Sequence, residues 1–187
     1  MAKITLNSAL HEIRGQIDNW VYRKSGGRQI IARRPEFTGP ASAGQLAVRD
    51  RFRAAAAYAR TALADPVQDP LYRAAAAARG VPVFAFIMGD FLNPPEVQAI
   101  DATGYHGRIG DVIKVSALDG YSVVSVGVVI RDAAATVLEQ GQAVHAGSGW
   151  NYAATVAVTA GESVTIEATA RDLPGHLAVK SLPWLVT

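Results

Sequence analysis

Four histidines are the first candidates for metal binding or acid–base catalysis in this chain: His11, His106, His145 and His176. They are scattered, so no two stand at the helical spacing that places ligands on one face, and the sequence contains no cysteine to complete a zinc site. The pattern predicts histidines at the surface or in turns. Neither a metal site nor a cofactor is predicted.

Aspartates near the ends of predicted strands offer a second kind of chemistry. Carboxylates gathered at one pole of a sheet could hold calcium through oxygen ligands. Aspartate in a turn also accepts hydrogen bonds from the backbone that follows it, and we favour this structural interpretation. The aspartates concerned are Asp101, Asp111, Asp119, Asp132 and Asp172.

Glycine-rich segments resemble parts of phosphate loops and nucleophile elbows, but each is incomplete. "GYHGRIGD" lacks the preceding strand and following helix of a phosphate loop, and "SGGR" lacks the lysine of a P-loop. "GSGW" is not the five-residue elbow that presents a catalytic serine. Turns are predicted in these segments, and the sequence predicts no enzyme.

The basic segment "NWVYRKSGGRQIIARRP" (residues 19–35) predicts a β-hairpin whose loop is Ser25-Gly26-Gly27. A three-residue loop pairs Tyr22 with Ile30 and Trp20 with Ala32, so apolar residues meet. In that register Lys24, Arg28 and Arg34 project from the Trp20 face, and Arg23 and Arg33 project from the other face. These basic residues are candidate contacts for a protein partner or for nucleic-acid phosphates.

The next segment, "SAGQLAVRDRFRAAAAYARTALAD", predicts a helix that Ser42 caps and Asp65-Pro66 ends. Apolar residues recur every three or four positions and predict one buried stripe: Val48, Phe52, Ala55, Ala59 and Leu63. Arg49, Arg53 and Arg60 recur on an adjoining face and join the candidate contact residues. A second helix is predicted in "DPLYRAAAAARG", with Asp69 as its cap, Pro70 at its first position and Gly80 at its end.

Composition and charge change sign along the chain, which predicts two domains that meet near Pro94-Pro95. Residues 1–95 contain 13 Lys plus Arg against 7 Asp plus Glu, a net charge of +6, and residues 96–187 contain 5 against 9, a net charge of −4. We expect a basic α+β module at 1–95, made of a β-hairpin plus two α-helices. Residues 96–187 then form a second, acidic domain.

The second half reads as a sandwich of about seven antiparallel strands. Apolar residues alternate with polar ones in "DVIKVSAL" and "SVTIEATA", and turn signals such as Asp119-Gly120 and Pro174-Gly175 separate the runs. Trp150 and Tyr152 stand two apart and should share the core face of one strand. Trp184, which follows Pro183, is less easily buried and is a candidate contact residue.

Two parts of the chain resemble known groups of proteins. Residues 97–182 resemble bacterial immunoglobulin-like domains, whose strands end in an "A-x-D-x-x-G-N" signature; here Ala170, Asp172 and Gly175 match it, and His176 replaces the asparagine. The first half is similar to poorly characterised bacterial and prophage-associated proteins in which a basic hairpin leads into a Gln-x-x-x-Arg-x-x-Phe helix, here Gln45, Arg49 and Phe52. These resemblances imply an all-β immunoglobulin-like sandwich and a structural or assembly protein, with no catalytic residues.

Together these features predict a non-enzymatic structural or interaction protein of a phage-like particle or a polymeric surface assembly. We expect self-association or binding of another protein, because a basic first half and an acidic second half of neighbouring copies attract each other. A nucleic-acid-binding protein is the alternative, and a surface adhesin or glycan-binding module is a second one. The sequence predicts no signal peptide and no membrane insertion, and it leaves the location of the protein open.

Overall fold

A computed structural model describes residues 2–4, 13–25, 27–36 and 39–187 of the chain. The chain divides into two compact units, Met1–Ala43 and Gly44–Thr187. His11, one of the four histidines considered above, lies outside the described residues.

The first unit is built on a four-stranded antiparallel sheet. Its strands are β1 (Ala2–Ile4), β2 (Gly15–Ile17), β3 (Trp20–Ser25) and β4 (Arg28–Arg33). They lie in the order β1-β4-β3-β2, so the predicted hairpin of β3 and β4 forms the centre of the sheet.

The predicted register of this hairpin is wrong by one residue. Ser25 pairs with Arg28, Tyr22 with Ile31 and Trp20 with Arg33, so the loop between the strands has two residues rather than three. Gly27, in that loop, has φ of +75°. Glycine accepts positive φ without strain, and this is what two-residue hairpin loops require.

The second unit begins with three helices, one more than the sequence analysis predicted. They are α1 (Ala43–Ala64), α2 (Gln68–Arg79) and α3 (Val83–Leu92). The missed helix, α3, is a short and strongly apolar segment, and periodicity alone does not separate such a segment from a buried strand. Pro82 before it and Asn93-Pro94 after it are the available start and stop signals.

The ends of α2 differ in part from the prediction. Asp69 is not the cap: Asp65 Oδ1 accepts the N–H groups of Val67 and Gln68 at 2.8 and 3.2 Å, so the helix begins earlier. Gly80 does end the helix, and its N–H bonds to the carbonyls of the last turn. Among the described residues no single helix is long and apolar enough to cross a membrane; α2 and α3 pass that test only as a pair bent by 101°, by length and composition alone.

Residues 96–185, all of which the structure describes, form eight strands in two antiparallel sheets. The strands are β5 (Glu96–Asp101), β6 (Val112–Leu118), β7 (Val123–Arg131), β8 (Val137–Gln142), β9 (Val144–Ala146), β10 (Gly149–Ala153), β11 (Ser163–Asp172) and β12 (Leu177–Leu185). One sheet has the order β5-β6-β10-β9 and the other β12-β11-β7-β8. The protein therefore has an α+β fold in which the sheets of the second unit are arranged like a sandwich.

The core of this sandwich follows the alternation predicted from the sequence. Ile113 and Val115 of β6 are buried, as are Val164 and Ile166 of β11, while the residues between them are more exposed. Tyr152 is buried beside them, and Trp150 packs against the same core. Because side chains alternate across a strand, the period of two in the sequence is sufficient to identify the inner face.

The helices share a second core with turns of the sandwich. Tyr72 of α2 and Ile87 of α3 pack with Tyr121, which follows β6, and with Leu173, which follows β11. The division of the chain therefore falls after Ala43, not at the expected joint of Pro94-Pro95, and the helices belong with the strands. With the division after Ala43, the first unit has seven basic and three acidic residues, and the second unit has eleven basic and thirteen acidic residues.

Gly107 provides a test of the packing at one end of the sandwich. It has φ of +78°, and a Cβ there would lie 2.2 Å from the carbonyl oxygen of Val158. We expect Gly107→Ala to lower the free energy of unfolding by about 3 kcal/mol, because it adds backbone strain to a clash with main-chain atoms. Denaturant unfolding of Gly120→Ala is the control, since a Cβ at Gly120 meets nothing within 4 Å. Equal stability of the two variants would contradict this packing.

Candidate functional site

The basic residues of the first unit lie on both faces of its sheet, and the observed register changes their predicted grouping. Trp20 faces Arg33 across the two strands, and Lys24 is on the same face. Arg23 and Arg28 lie on the opposite face, so Arg28 and Arg33 exchange the places predicted for them. Arg34 follows β4, and its N–H bonds to the carbonyl of Asn19 at 2.7 Å.

The predicted basic face of α1 is exposed to solvent. Arg49, Arg53 and Arg60 are all exposed, and Arg53 pairs with Asp50 at 2.6 Å. Such exposed pairs contribute little to stability, so these side chains remain accessible to a partner. They belong to the second unit, whereas the hairpin residues belong to the first.

Only part of the predicted apolar stripe of α1 is buried. Ala55 and Ala59 are fully buried, but Val48 and Phe52, on the same side of the helix, are 53% and 52% exposed. Residues 43–54 of α1 are all exposed, and Ala55 is the first residue of the helix that the second unit buries. We call Val48 and Phe52 the α1 face. It borders a cavity of about 220 Å³ that Leu92 and Asn93 also line.

Trp184, a candidate contact residue, is partly buried. It packs against the sandwich core, and its indole N–H bonds to the carbonyl oxygen of Tyr105 at 3.1 Å. A partner would therefore reach only the part of the ring that stays exposed.

The aspartates considered as calcium ligands each organise a turn. Asp111 Oδ2 accepts the N–H groups of His106 and Arg108 at 2.7 and 2.9 Å, and these bonds hold the pKa of Asp111 below its usual value. Asp101, Asp119 and Asp132 accept hydrogen bonds from backbone N–H groups that lie two to four positions later in the chain. Within the described part of the chain, no three His, Asp or Glu side chains are placed to hold a metal ion.

Asp172 and His176, from the segment that resembles the immunoglobulin-like signature, close the turn between β11 and β12. Asp172 Oδ1 accepts the N–H groups of Gly175 and His176 at 2.7 and 2.6 Å, and its Oδ2 lies 2.8 Å from His176 Nδ1. The imidazole also contacts the ring of Phe91 in α3 edge-on, with centroids 4.8 Å apart. Both carboxylate oxygens are thus engaged in the turn, and the pair connects the sandwich to the helices.

A buried cluster of tyrosine and aspartate, which the sequence analysis did not identify, lies where the helices meet the sandwich. The hydroxyl of Tyr72 donates to Asp90 Oδ2 at 2.6 Å, and the hydroxyl of Tyr58 lies 3.1 Å from that of Tyr72. Asp90 is only 4% exposed, and its Oδ1 has no hydrogen-bond partner among the described residues. Its position in the apolar run "VFAFIMGDFL" was the available signal, because an aspartate there must be buried or end the helix.

Burial controls the ionisation of this cluster. It raises the pKa of Asp90 to about 6; the hydrogen bond from Tyr72 opposes the shift, and the charges of Asp119 and Asp172 add to it. Burial also raises the pKa of Tyr72 above its usual range, and the hydrogen bond to Asp90 acts in the same direction. Near neutral pH Asp90 is therefore mostly ionised, although it is buried.

A cleft of about 420 Å³ runs along α3 next to this cluster. We call it the α3 groove. Val81, Pro82, Ala85 and Phe86 give it a largely apolar surface. The remaining lining residues are Arg79, Gly89, Asp90, Asn93, Gly120 and Tyr121. A largely apolar cleft with a few polar groups and a carboxyl of shifted pKa is typical of a ligand-binding site.

Comparison with known proteins assigns no family to the chain. No family model matches it, and a search of curated proteins finds no similar protein. We therefore infer function from the α1 face, the α3 groove and the basic sheet of the first unit.

Asp90 should make the stability of the protein depend on pH. Its folded-state pKa of about 6 lies above the value of about 4 for an unfolded chain, so its favourable contribution is complete below pH 4 and is lost as the pH rises through 6. We expect the free energy of unfolding of Asp90→Asn, minus that of wild type, to rise by about 2 kcal/mol from pH 4 to pH 7, because asparagine does not ionise. Urea unfolding at several pH values measures this difference.

Tyr72→Phe serves as a companion variant in the same experiment. It removes the donor to Asp90 Oδ2 and should destabilise the protein by about 1 to 3 kcal/mol at pH 7, since a buried carboxylate oxygen then loses its partner. A difference between Asp90→Asn and wild type that stays constant with pH would contradict the burial of an ionisable Asp90.

Proposed function

We propose that this chain is a non-enzymatic structural or interaction protein that associates with further copies of itself in a phage-like particle or a surface assembly. The observation that supports this most is the α1 face. It continues the buried side of a helix, but Val48 and Phe52 stay about half exposed in the second unit.

The apolar character of the α1 face is more than scattered surface hydrophobicity. Val48 and Phe52 stand one turn apart and continue the line of Ala55 and Ala59, so an amphipathic helix is present in which only half of the apolar side has a partner. Both side chains are already about half buried, so covering the rest of them is favourable by about 2 to 3 kcal/mol in total. A second protein surface is the natural cover for such a face.

Charge favours another copy of this chain as the partner. The α1 helix carries four arginines and one aspartate, while residues 96–187 carry five basic and nine acidic residues. The α1 helix of one copy is therefore attracted to the strand-forming segment of another. Such complementarity guides association and specifies the partner more than it adds affinity.

The order of strands supports an immunoglobulin-like sandwich as the second part of this proposal. Immunoglobulin-like domains place their first, second, fifth and fourth strands in one sheet and the third, sixth and seventh in the other. With β8 as an additional strand after β7, the order β5-β6-β10-β9 and β8-β7-β11-β12 follows that scheme. Sandwiches of this kind serve in many interaction proteins, although the fold alone does not determine the function.

Substitution of the α1 face should disrupt self-association. For the double variant Val48→Glu/Phe52→Glu we expect a mass of one copy by light scattering, where wild type forms larger species, because two charges replace the apolar contact. The α1 fold should persist, since both positions are exposed.

The matched control is Val67→Glu/Leu71→Glu, which changes two exposed apolar residues at the start of α2, outside α1 and outside the strand-forming segment. It should retain the wild-type mass. A wild-type protein that has the mass of one copy at all concentrations, or a control that dissociates to the same extent, would contradict the proposal.

Nucleic-acid binding is a second candidate function, and the observed register of the first unit favours it in one respect. An exposed Trp20 lies directly across from Arg33, with Lys24 on the same face, and this places a ring for base stacking beside cations for phosphates. The double variant Lys24→Gln/Arg33→Gln, which removes the two cations of the Trp20 face, should weaken binding to single-stranded DNA. It should also reduce the slope of log K against log salt by about 1.4.

Arg171→Gln, an exposed arginine of β11, is the control for this experiment and should leave the salt slope unchanged. If neither single-stranded nor duplex DNA is retained at low salt, this second candidate is eliminated. The self-association of the first proposal would be unaffected by that result.

A further inference from the structure

The α3 groove combines aromatic walls with a buried carboxyl group. Phe86 and Tyr121 line it, with ring centroids 5.4 Å apart in an edge-to-face arrangement. Ala85 and Gly89, one turn apart on α3, leave space beside these rings, and a Cβ at Gly89 would meet nothing within 4 Å. The cavity has room for one aromatic ring with a short substituent.

The carboxyl group makes the groove electronegative. Asp90 Oδ1 is buried and unpartnered among the described residues, and the closest anionic influences on it, Asp119 and Asp172, add to the negative potential. A buried charge is screened less than one in water, so the carboxylate of Asp90, a lining residue, attracts a cation in the groove.

One cation of the protein already contacts an aromatic ring at the rim of the groove. The guanidinium of Arg79 lies over the ring of Phe86, 5.0 Å from its centroid, and donates to the carbonyl of Gly120 at 2.8 Å. The aromatic lining therefore accommodates a positive group on its face, as cation–π attraction predicts. Arg79 stays exposed, and the interior of the groove is left for another group.

We propose that the α3 groove binds a small organic ammonium ion whose apolar body packs against Phe86 and Tyr121 and whose charge lies at the Asp90 end. The Asp90 end of the groove would repel an anion, because a buried carboxylate and its acidic neighbours lie there. A neutral ligand of the same shape gains the apolar contacts but not the electrostatic attraction. This inference is independent of self-association through the α1 face.

Binding of such a cation should depend on pH through Asp90. Ammonium and carboxylate attract each other only while Asp90 is ionised, and burial raises its pKa to about 6. The ionisable groups around Asp90 come from several elements: Tyr58 of α1, Tyr72 and Arg79 of α2, Asp119 and Tyr121 between β6 and β7, Asp172 at the end of β11 and His176 in the turn after it.

The test uses the full chain with benzylammonium as the probe and benzyl alcohol as its neutral counterpart. Amide chemical shifts of Gly89, Asn93 and Gly120 report binding in the groove. At pH 8 we expect benzylammonium to bind about tenfold more tightly than benzyl alcohol. At pH 5, where benzylammonium stays protonated but Asp90 is mostly neutral, its affinity should fall about fivefold.

The variant Asp90→Asn separates the charge of Asp90 from the shape of the groove. It should bind both probes equally and lose the dependence on pH, whereas Asp69→Asn, the same substitution in the exposed pair with Arg73, should behave as wild type. If Asp90→Asn does not fold, the comparison of the two probes on wild type at pH 5 and pH 8 is sufficient. Equal binding of both probes at pH 8, or no shifts at these amides with either probe, would overturn the proposal.

Discussion

The contact between α2, α3 and the turns of the sandwich is the interaction on which the second unit depends. Tyr72 donates to Asp90 within a cluster that Tyr121 and Leu173 complete from the strand side. His176 adds a second connection, because its ring meets Phe91 while its backbone and imidazole are held by Asp172. Helices and strands are therefore joined by one aromatic and acidic cluster. This contact buries a carboxyl group where the helices meet the sandwich, and the negative charge of that carboxyl makes the α3 groove electronegative.

The same arrangement explains why α1 has two different halves. Its second half is buried by small residues, Ala55, Ala59 and Ala62, which allow neighbouring segments to approach closely. Its first half carries Val48 and Phe52, which the second unit leaves about half exposed. An amphipathic helix that is only half covered within its own unit, and that also carries an excess of arginine, has the properties of an interface element. The net negative charge of residues 96–187 makes another copy a suitable partner for it.

The sequence was sufficient for the features that follow from periodicity and turn chemistry. The strands of the sandwich alternate with a period of two, so Ile113, Val115, Val164 and Ile166 could be assigned to its core, and turn aspartates such as Asp111 could be assigned to turns. Features that depend on tertiary packing were not accessible. The predicted apolar stripe of α1 is buried at Ala55 and Ala59 but exposed at Val48 and Phe52. Periodicity identifies the apolar side of a helix, but not which part of that side the rest of the chain covers. The hairpin register differed by one residue, because a Ser-Gly-Gly loop permits both lengths. Asp90 and its partner Tyr72 lie 18 positions apart, on different helices, so no local pattern predicts their contact.

The central claim, association of copies through the first half of α1, can be tested most directly with a spin label. The chain has no cysteine, so Ala54→Cys, at an exposed position of α1, introduces a single attachment site while leaving Val48, Phe52 and the arginines in place. Pulsed electron paramagnetic resonance then measures the distance between labels on different copies. We predict dipolar coupling between labels that disappears when labelled protein is diluted with an excess of unlabelled protein. No coupling at any protein concentration would contradict the account.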